Sequence, residues 1–261
     1  MIANILFPVD FSESCLGMAA YVKRVAAMFH ARVTMLHVCD LNSHNGFELY
    51  VRTLQEIADE HWMIARERLH SFLPCEFPSP TCARLLRSGD PAEEIVELAH
   101  SSGFDLIVMP THAGRFRQML LGSTTAKVLD EADCPVLTME HAETSVPNDL
   151  GHRHWLCGIG HGREAEQVFR IATLFAERAH AQLSFVHVID DVSDGDIPRS
   201  LAGENINVVK GRVKDALLEA AQRPLADALI VGRAPKHGLI GRMRDFTYGL
   251  IRDSPVPVLS V

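Results

Sequence analysis

Ile5-Leu6-Phe7-Pro8-Val9-Asp10-Phe11-Ser12-Glu13-Ser14 decides how the rest of the chain is read. Five residues, Ile5 to Val9, make a short apolar run of strand length. Asp10 to Ser14 then supplies helix-capping residues, and Leu16, Ala19, Val22, Ala26 and Phe29 recur at helical spacing. Val33 to Val38 follows as a second buried strand. Strand, helix and strand in so short a stretch predict a parallel pair joined by a crossover.

The alternation continues. A helix is expected from Phe47 to Leu73, with Val51, Leu54, Ala58, Ala65, Leu69 and Phe72 on one face, and a strand from Thr81 to Arg87. Asp90-Pro91-Ala92-Glu93 is a strong helix start, with Asp at the N-cap, Pro at the first helical position and Glu at the third. Asp105 to Met109 reads as a central strand, Ser123 to Ala132 as a helix and Pro135 to Met139 as a last strand. The expectation is an α/β fold with a doubly wound parallel sheet covered on both faces.

Composition fits and narrows this. At 261 residues the chain is long enough for one large domain or two smaller ones. A net charge of −8 argues against a nucleic-acid partner, which selects for a basic face. No run approaches the ~18 apolar residues of a membrane span. The first residues lack a basic stretch and break at Pro8 and Asp10, so they read as a strand rather than a signal peptide, and the expected location is the cytoplasm. Cys15, Cys39, Cys75, Cys82, Cys134 and Cys157 form no C-x-x-C pair, and reduced thiols are expected.

Searching for repeats chooses between one domain and two. A shift of 150 lays His30-Ala31 on His180-Ala181 and His37-Val38-Cys39-Asp40 on His187-Val188-Ile189-Asp190. A shift of 122 lays Gly89 on Gly211, Asp105 on Asp227 and Pro135-Val136-Leu137 on Pro257-Val258-Leu259. The change of shift means that the second copy is 28 residues shorter, and the lost stretch corresponds to the Phe47 to Leu73 helix. In its place Asp191 to Pro198 reads as a polar loop. The expected division is a domain over 1–142, a linker over 143–151 and a trimmed copy over 152–261 that lacks one helix.

In an open parallel sheet, ligands bind beyond the carboxyl ends of the strands. Pro8-Val9-Asp10, Val38-Cys39-Asp40 and Pro110-Thr111-His112-Ala113-Gly114 should gather there, with Gly122-Ser123-Thr124-Thr125 at a helix start. Small and hydroxyl residues at a helix N-terminus suit phosphate. Asp10 could accept from a base or ribose, or Asp10 and Ser123 could simply cap helices; spacing alone favours capping.

The residues Ile5 to Ser12, Leu36-His37-Val38, Gly89-Asp90-Pro91, Asp105 to His112, Leu121-Gly122-Ser123-Thr124 and Cys134-Pro135-Val136-Leu137 resemble the universal stress protein family in order and spacing. The second half resembles the same plan faintly. The resemblance implies a five-stranded sheet of the adenine nucleotide alpha hydrolase-like type, and in many members ATP held through G-x-x-G-x9-G-[ST]. Here Pro110 and Ala113 stand at the first two glycine positions, and eight residues separate Ala113 from Gly122. Gly114 is the alternative second glycine, with a shorter loop still. The resemblance implies Asp10 and Val38 at the adenine and ribose end and His112, Gly122, Ser123 and Thr124 at the phosphates; Pro8, Val9, Met109, Pro110 and Gly114 complete the candidate set for ATP. Against it, Pro110 has no N–H to donate and Ala113 adds a Cβ.

The second copy has Gly160 in place of Asp10 and Arg244-Asp245-Phe246 in place of Gly122-Ser123-Thr124, so no triphosphate cradle is expected there. Gly158-Ile159-Gly160-His161-Gly162 is not G-x-G-x-x-G and reads as a turn. Equivalent positions make His37 and His187 structural. His152 and His154 could meet His161, but no Cys or carboxylate completes a zinc spacing, so no metal is expected. Arg115 and Arg117 could neutralise phosphates or form a solvated face. No Ser-His-Asp order, carboxylate pair or Walker lysine marks a catalyst.

The resemblance therefore implies a stress-response nucleotide binder. A scaffold or small-ligand sensor that has lost nucleotide binding is the alternative, and a weak ATP hydrolase the third reading. The expected partner is the other domain of the same chain, through the last strands, Val136 to Met139 and Val256 to Val261, with a homodimer as a further candidate.

Overall fold

A computed structural model describes residues 2–40, 54–79, 81–111, 121–139, 154–189, 201, 203–222, 226–233 and 240–261. Two compact units emerge: Met1–Cys134 with His141–Glu143, and Pro135–Glu140 with Thr144–Val261.

In the first unit, β1 (Asn4–Pro8), α1 (Glu13–Phe29), β2 (Arg32–Cys39), α2 (Leu54–Ser71), β3 (Ala83–Ser88), α3 (Pro91–Ser101), β4 (Leu106–Pro110) and α4 (Ser123–Glu131) alternate along the chain. The sheet runs β3-β2-β1-β4, and every described pairing in it is parallel. β1 and β4 are buried from end to end apart from Asn4, because helices lie on both faces, and Ile5, Leu6, Phe7, Leu106 and Ile107 are essentially inaccessible. α1 turns Cys15, Met18, Ala19, Val22, Val25 and Ala26 inward at steps of three and four. Its N-cap is Ser12, whose side chain accepts from the Cys15 N–H at 3.3 Å. α3 starts as its sequence predicts: Pro91 opens it, and the Asp90 carboxylate accepts from the Glu93 N–H at 3.0 Å.

α2 packs on β2 and β3. The half-buried Arg84 of β3 fastens its C-terminal end, donating from Nε to the Leu69 carbonyl and from Nη2 to those of Phe72 and Phe77, all within 3.0 Å. The expected helix began at Phe47, and its first part lies outside the described residues.

In the second unit, β5 (Val136–Met139), β6 (His154–Ile159), α5 (Gly162–Ala179), β7 (Gln182–Ile189), β8 (Ile206–Lys210), α6 (Val213–Gln222), β9 (Ala228–Val231), α7 (Ile240–Asp253) and β10 (Val258–Ser260) follow. The order is β5-β10-β9-β6-β7-β8, parallel from β10 onward, with β5 antiparallel on β10: Leu137 faces Leu259. The first unit therefore keeps four of the five strands expected of it. β5 counts with the second unit, where Val136, Leu137 and Thr138 pair with Ser260, Leu259 and Val258 of β10.

Corresponding residues hold corresponding conformations. His30 and His180 both end a helix in the left-handed region, each at φ 52°. Gly89 and Gly211 adopt φ 145° and 149°, and donate to the carbonyls of Cys39 and Ile189. Asp105 accepts from the N–H of Asn4, and Asp227 from that of His154. Among the described residues no helix stands between β7 and β8, and the Asp191 to Pro198 loop lies outside them. The position of Arg84 is held by Ile206, and Ile189 and Val208 are exposed.

Candidate functional site

The strand order places a crevice in the first unit. β1, β2 and β3 run outward one way while β4 lies on the other side of β1, so connections part between the carboxyl ends of β1 and β4. Pro8, Val9 and Asp10 leave β1 at that edge, Val38 lies at the end of β2, and Met109 and Pro110 end β4. Gly122 returns the chain to the same place: its N–H donates to the Thr111 carbonyl at 2.9 Å. The parallel sheet thus brings together Pro8, Val9, Asp10, Val38, Met109, Pro110, Gly122, Ser123 and Thr124. His112, Ala113 and Gly114, like Arg115 and Arg117, lie outside the described residues.

Ser123 is the first residue of α4 and not its cap. Gly122 occupies the cap position and offers no side-chain bond. The backbone N–H groups of the first turn consequently receive no side-chain cap from Gly122, and they carry the positive end of the helix dipole. Thr125 is turned inward, its hydroxyl donating to the Pro110 carbonyl at 3.0 Å. That bond fixes α4 against the end of β4.

Asp10 is likewise not the cap of α1. Its Oδ1 accepts from the Ser12 N–H at 2.9 Å and from the Cys15 thiol at 3.1 Å, while the residue itself is exposed. Burial, then the neighbouring Asp10 charge, push the Cys15 thiol up to about 12, so it stays a donor and no nucleophile. Asp10 is held in place with accepting capacity toward solvent.

Between them stands a feature that sequence reasoning missed. Phe11 is in the left-handed region at φ 62°, rare for a bulky side chain. Its ring lies 4.3 Å from His37 and 5.3 Å from Phe72, with the Arg68 guanidinium 4.6 Å above it. His37 Nδ1 donates to the Val9 carbonyl at 2.7 Å, which pins the end of β1 to β2. Burial, with Arg68 adding to it, lowers the His37 pKa below its ordinary value, against the pull of the Val9 carbonyl. A Phe among capping residues gives no sequence signal for such a turn.

The corresponding edge of the second unit is built differently. Gly160 brings no side chain where Asp10 stands, and α5 begins at His161 with no side-chain cap. The side chains of Arg244 and Asp245 lie outside the described ones. All six cysteines are free, with Cys15, Cys39, Cys82 and Cys157 buried and Cys75 exposed. Among the described residues no helix is long and apolar enough to cross a membrane.

Fold and crevice define an α/β protein with a mostly parallel, doubly wound sheet. The profile of the universal stress protein family matches residues 1–139, and the chain belongs to that family. A universal stress protein of Methanocaldococcus jannaschii is 31% identical over 140 residues, which are 52% of this chain and 81% of that protein. A second from the same organism is 27% identical over 155 residues, 54% of this chain and 96% of its own length. The crystal structure of a universal stress protein from Archaeoglobus fulgidus aligns over 98% of this chain and 95% of its own, with a TM-score of 0.72 at 21% identity. That likeness shows the fold.

Proposed function

We propose that residues 1–142 form a universal stress domain that binds ATP or a related adenine nucleotide in the crevice between β1 and β4. Residues 143–151 are its linker, and 152–261 form a second, degenerate domain that binds no nucleotide and pairs with the first. The carrying observation is the start of α4: a glycine cap that gives the first-turn N–H groups no side-chain bond, and two hydroxyl residues, Ser123 and Thr124. This is a phosphate-binding arrangement. Asp10 and Val38 stand at the other side of the crevice for the ribose and base, with Pro8, Val9, Met109 and Pro110 between, and His112 and Gly114 in the connecting loop.

With β5 assigned to the first domain by its place in the sequence, the antiparallel β5–β10 ladder supports pairing of the two domains within one chain, since each strand covers one edge of the other. Exposed edges elsewhere leave a homodimer open as a further association. The role is that of a stress-response binder in the cytoplasm, with tandem domains.

One observation favours a second reading, a scaffold or small-ligand sensor without nucleotide. Pro110 has no N–H for a phosphate, and its carbonyl already accepts from Thr125. Weak ATP hydrolysis ranks third, because Asp10, the carboxylate at the end of β1, is already engaged by the Ser12 N–H and the Cys15 thiol.

Mass spectrometry of the chain purified without added nucleotide separates these readings. An adenine nucleotide in the wild type that is lost in Gly122→Arg supports the first. A folded wild type free of nucleotide that also takes up none on addition of ATP refutes it.

A further inference from the structure

β8 ends the sheet of the second unit. It pairs with β7 on one side, and among the described residues no strand lies on the other. Backbone groups alternate between the two sides of a strand. The Gly211 N–H donates to the Ile189 carbonyl of β7, so Val209 and Asn207 face β7 as well. Ile206, Val208 and Lys210 therefore turn their backbone groups to the open side. Of these groups the Ile206 N–H is taken by the Glu204 carbonyl at 2.9 Å, and the rest form a template for another strand. Val208 is 47% exposed, and Asn207 and Lys210 are exposed with it.

The first unit guards the same edge. Its end strand β3 pairs with β2 in the register that β8 keeps on β7. Arg84 and Arg87 stand in β3 where β8 has Ile206 and Val209. Charged residues on an edge strand discourage strand addition, whereas β-branched residues are among the best strand formers. The cover differs too. Arg84 reaches α2 from its face of the sheet, and Ile206 and Val208 lie on the corresponding face of β8. Among the described residues no α-helix stands between β7 and β8 to cover that face. Charge is left only at the ends of the strand. Glu204 precedes it, Lys210 closes it and Arg212 follows, all three exposed.

We propose that β8 is a dimerisation edge and that its occupant is β8 of a second copy of this chain, added antiparallel across a twofold axis at Asn207. Antiparallel order brings Glu204 of each copy to the Lys210 and Arg212 end of the other. Parallel order would set Glu204 beside Glu204 and Lys210 beside Lys210. The axis at Asn207 sets Ile206 opposite Val208 of the second copy, an apolar cross-strand pair on the uncovered face. Both residues turn their backbone groups to the open side, so the pair also carries ladder hydrogen bonds. An axis at Val208 would instead set Ile206 against the Lys210 ammonium. Such an interface is isologous and closes at two chains. An edge of five residues sits at the small end of specific interfaces, so the dimer is a reversible one, with a Kd of about 10 µM. This gives the homodimer named above a surface, and it does not rest on the nucleotide crevice, which lies in the first unit.

Sedimentation velocity on the full chain, from about 1 µM to about 200 µM, reads the association. The wild type should pass from one chain to two as concentration rises. Val208→Lys puts a cation at the centre of the edge, on an exposed position that tolerates it. It should weaken the dimer at least tenfold and leave the urea midpoint of the dilute chain unchanged. Glu204→Lys should weaken the dimer at least threefold, and adding Lys210→Glu to that variant should restore it. Cross-linking checks the register in a Cys75→Ser background, which removes the exposed thiol. Asn207→Cys should give a disulfide-linked dimer on mild oxidation, because residues facing across a non-hydrogen-bonded pair have Cα atoms about 4.5 Å apart. Lys210→Cys, far from the axis, should give none. A wild type that stays monomeric at the top of the concentration range overturns the proposal. So does a dimer unaltered in folded Val208→Lys, or growth beyond two chains. A double variant no tighter than Glu204→Lys, or cross-linking through Lys210→Cys in place of Asn207→Cys, overturns it as well.

Discussion

Replacing Arg84 with leucine should loosen α2 from the first unit while leaving the strand that carries it intact. Three guanidinium hydrogen bonds within 3.0 Å end on the carbonyls of Leu69, Phe72 and Phe77, where the helix has run out of its own donors. Hydrogen bonds to a charged group contribute about 1.5–3 kcal/mol each and do not add in full. Leucine restores part of the packing, and water reaches some of the freed carbonyls, so a net loss of about 3 kcal/mol is expected. At a urea slope of about 2 kcal/mol/M that is a midpoint shift of about 1.5 M. Trp62 lies on α2 and Trp155 on β6, and they are the two tryptophans of the chain. A Trp155→Phe background therefore leaves fluorescence that reports α2 alone. Arg87→Leu is the control, since its pairs with Glu94 and Glu97 are partly exposed and worth under about 1 kcal/mol. A shift below about 0.4 M for Arg84→Leu, or one no larger than that of Arg87→Leu, would refute the claim that Arg84 anchors the helix.

Other consequences are as concrete. His37 has its pKa lowered in the folded chain, so below about 6.5 the unfolded chain binds the extra proton and stability falls with acidification. Urea midpoints at pH 7.5 and 5.5 should differ less in His37→Gln than in the wild type; an equal difference contradicts this. Asp90→Ala should lose about 1 kcal/mol at neutral pH through the lost N-cap of α3. The Glu93 N–H, helped by Lys127, holds Asp90 below the usual carboxylate value of 3.8. This contribution is therefore present above that value and lost as pH falls through the lowered one, so the gap between the two proteins should close in acid. A thiol reagent should label Cys75 within seconds and Cys15 and Cys157 only after denaturation, because burial raises both of their pKa values. Prompt labelling of Cys157 in the native chain would contradict the burial of β6.

Much of the fold was legible because it rests on periodicity. β1, β2 and β4 are apolar runs of strand length, and Asp90-Pro91 declares a helix start by two independent residue types. The caps of α1 and α4 were harder. Asp10 and Ser12 are both capping residues two positions apart, and only the turn through Phe11 decides that Ser12 caps while Asp10 braces the loop. At α4 a glycine takes the cap, so Ser123 falls inside the helix. Arg84 in a strand pattern looks like an exposed cation, and its partners lie 7 to 15 residues away in a helix end that spacing cannot place. Yet the substitution is informative in retrospect: the shorter half has Ile206 at the position of Arg84, where the described residues show no helix to hold. The candidate crevice was legible to the level of which strand ends meet. The Phe11 turn was not, because it depends on where a side chain lies after folding.

The central claim, one functional nucleotide crevice in a chain that carries the fold plan twice, is tested most directly by stoichiometry. Equilibrium titration of the folded full-length chain with ATP, read as moles bound per mole of chain, should give one, falling to zero in Gly122→Arg. Two per chain would contradict a silent second half, and none would contradict the crevice between β1 and β4.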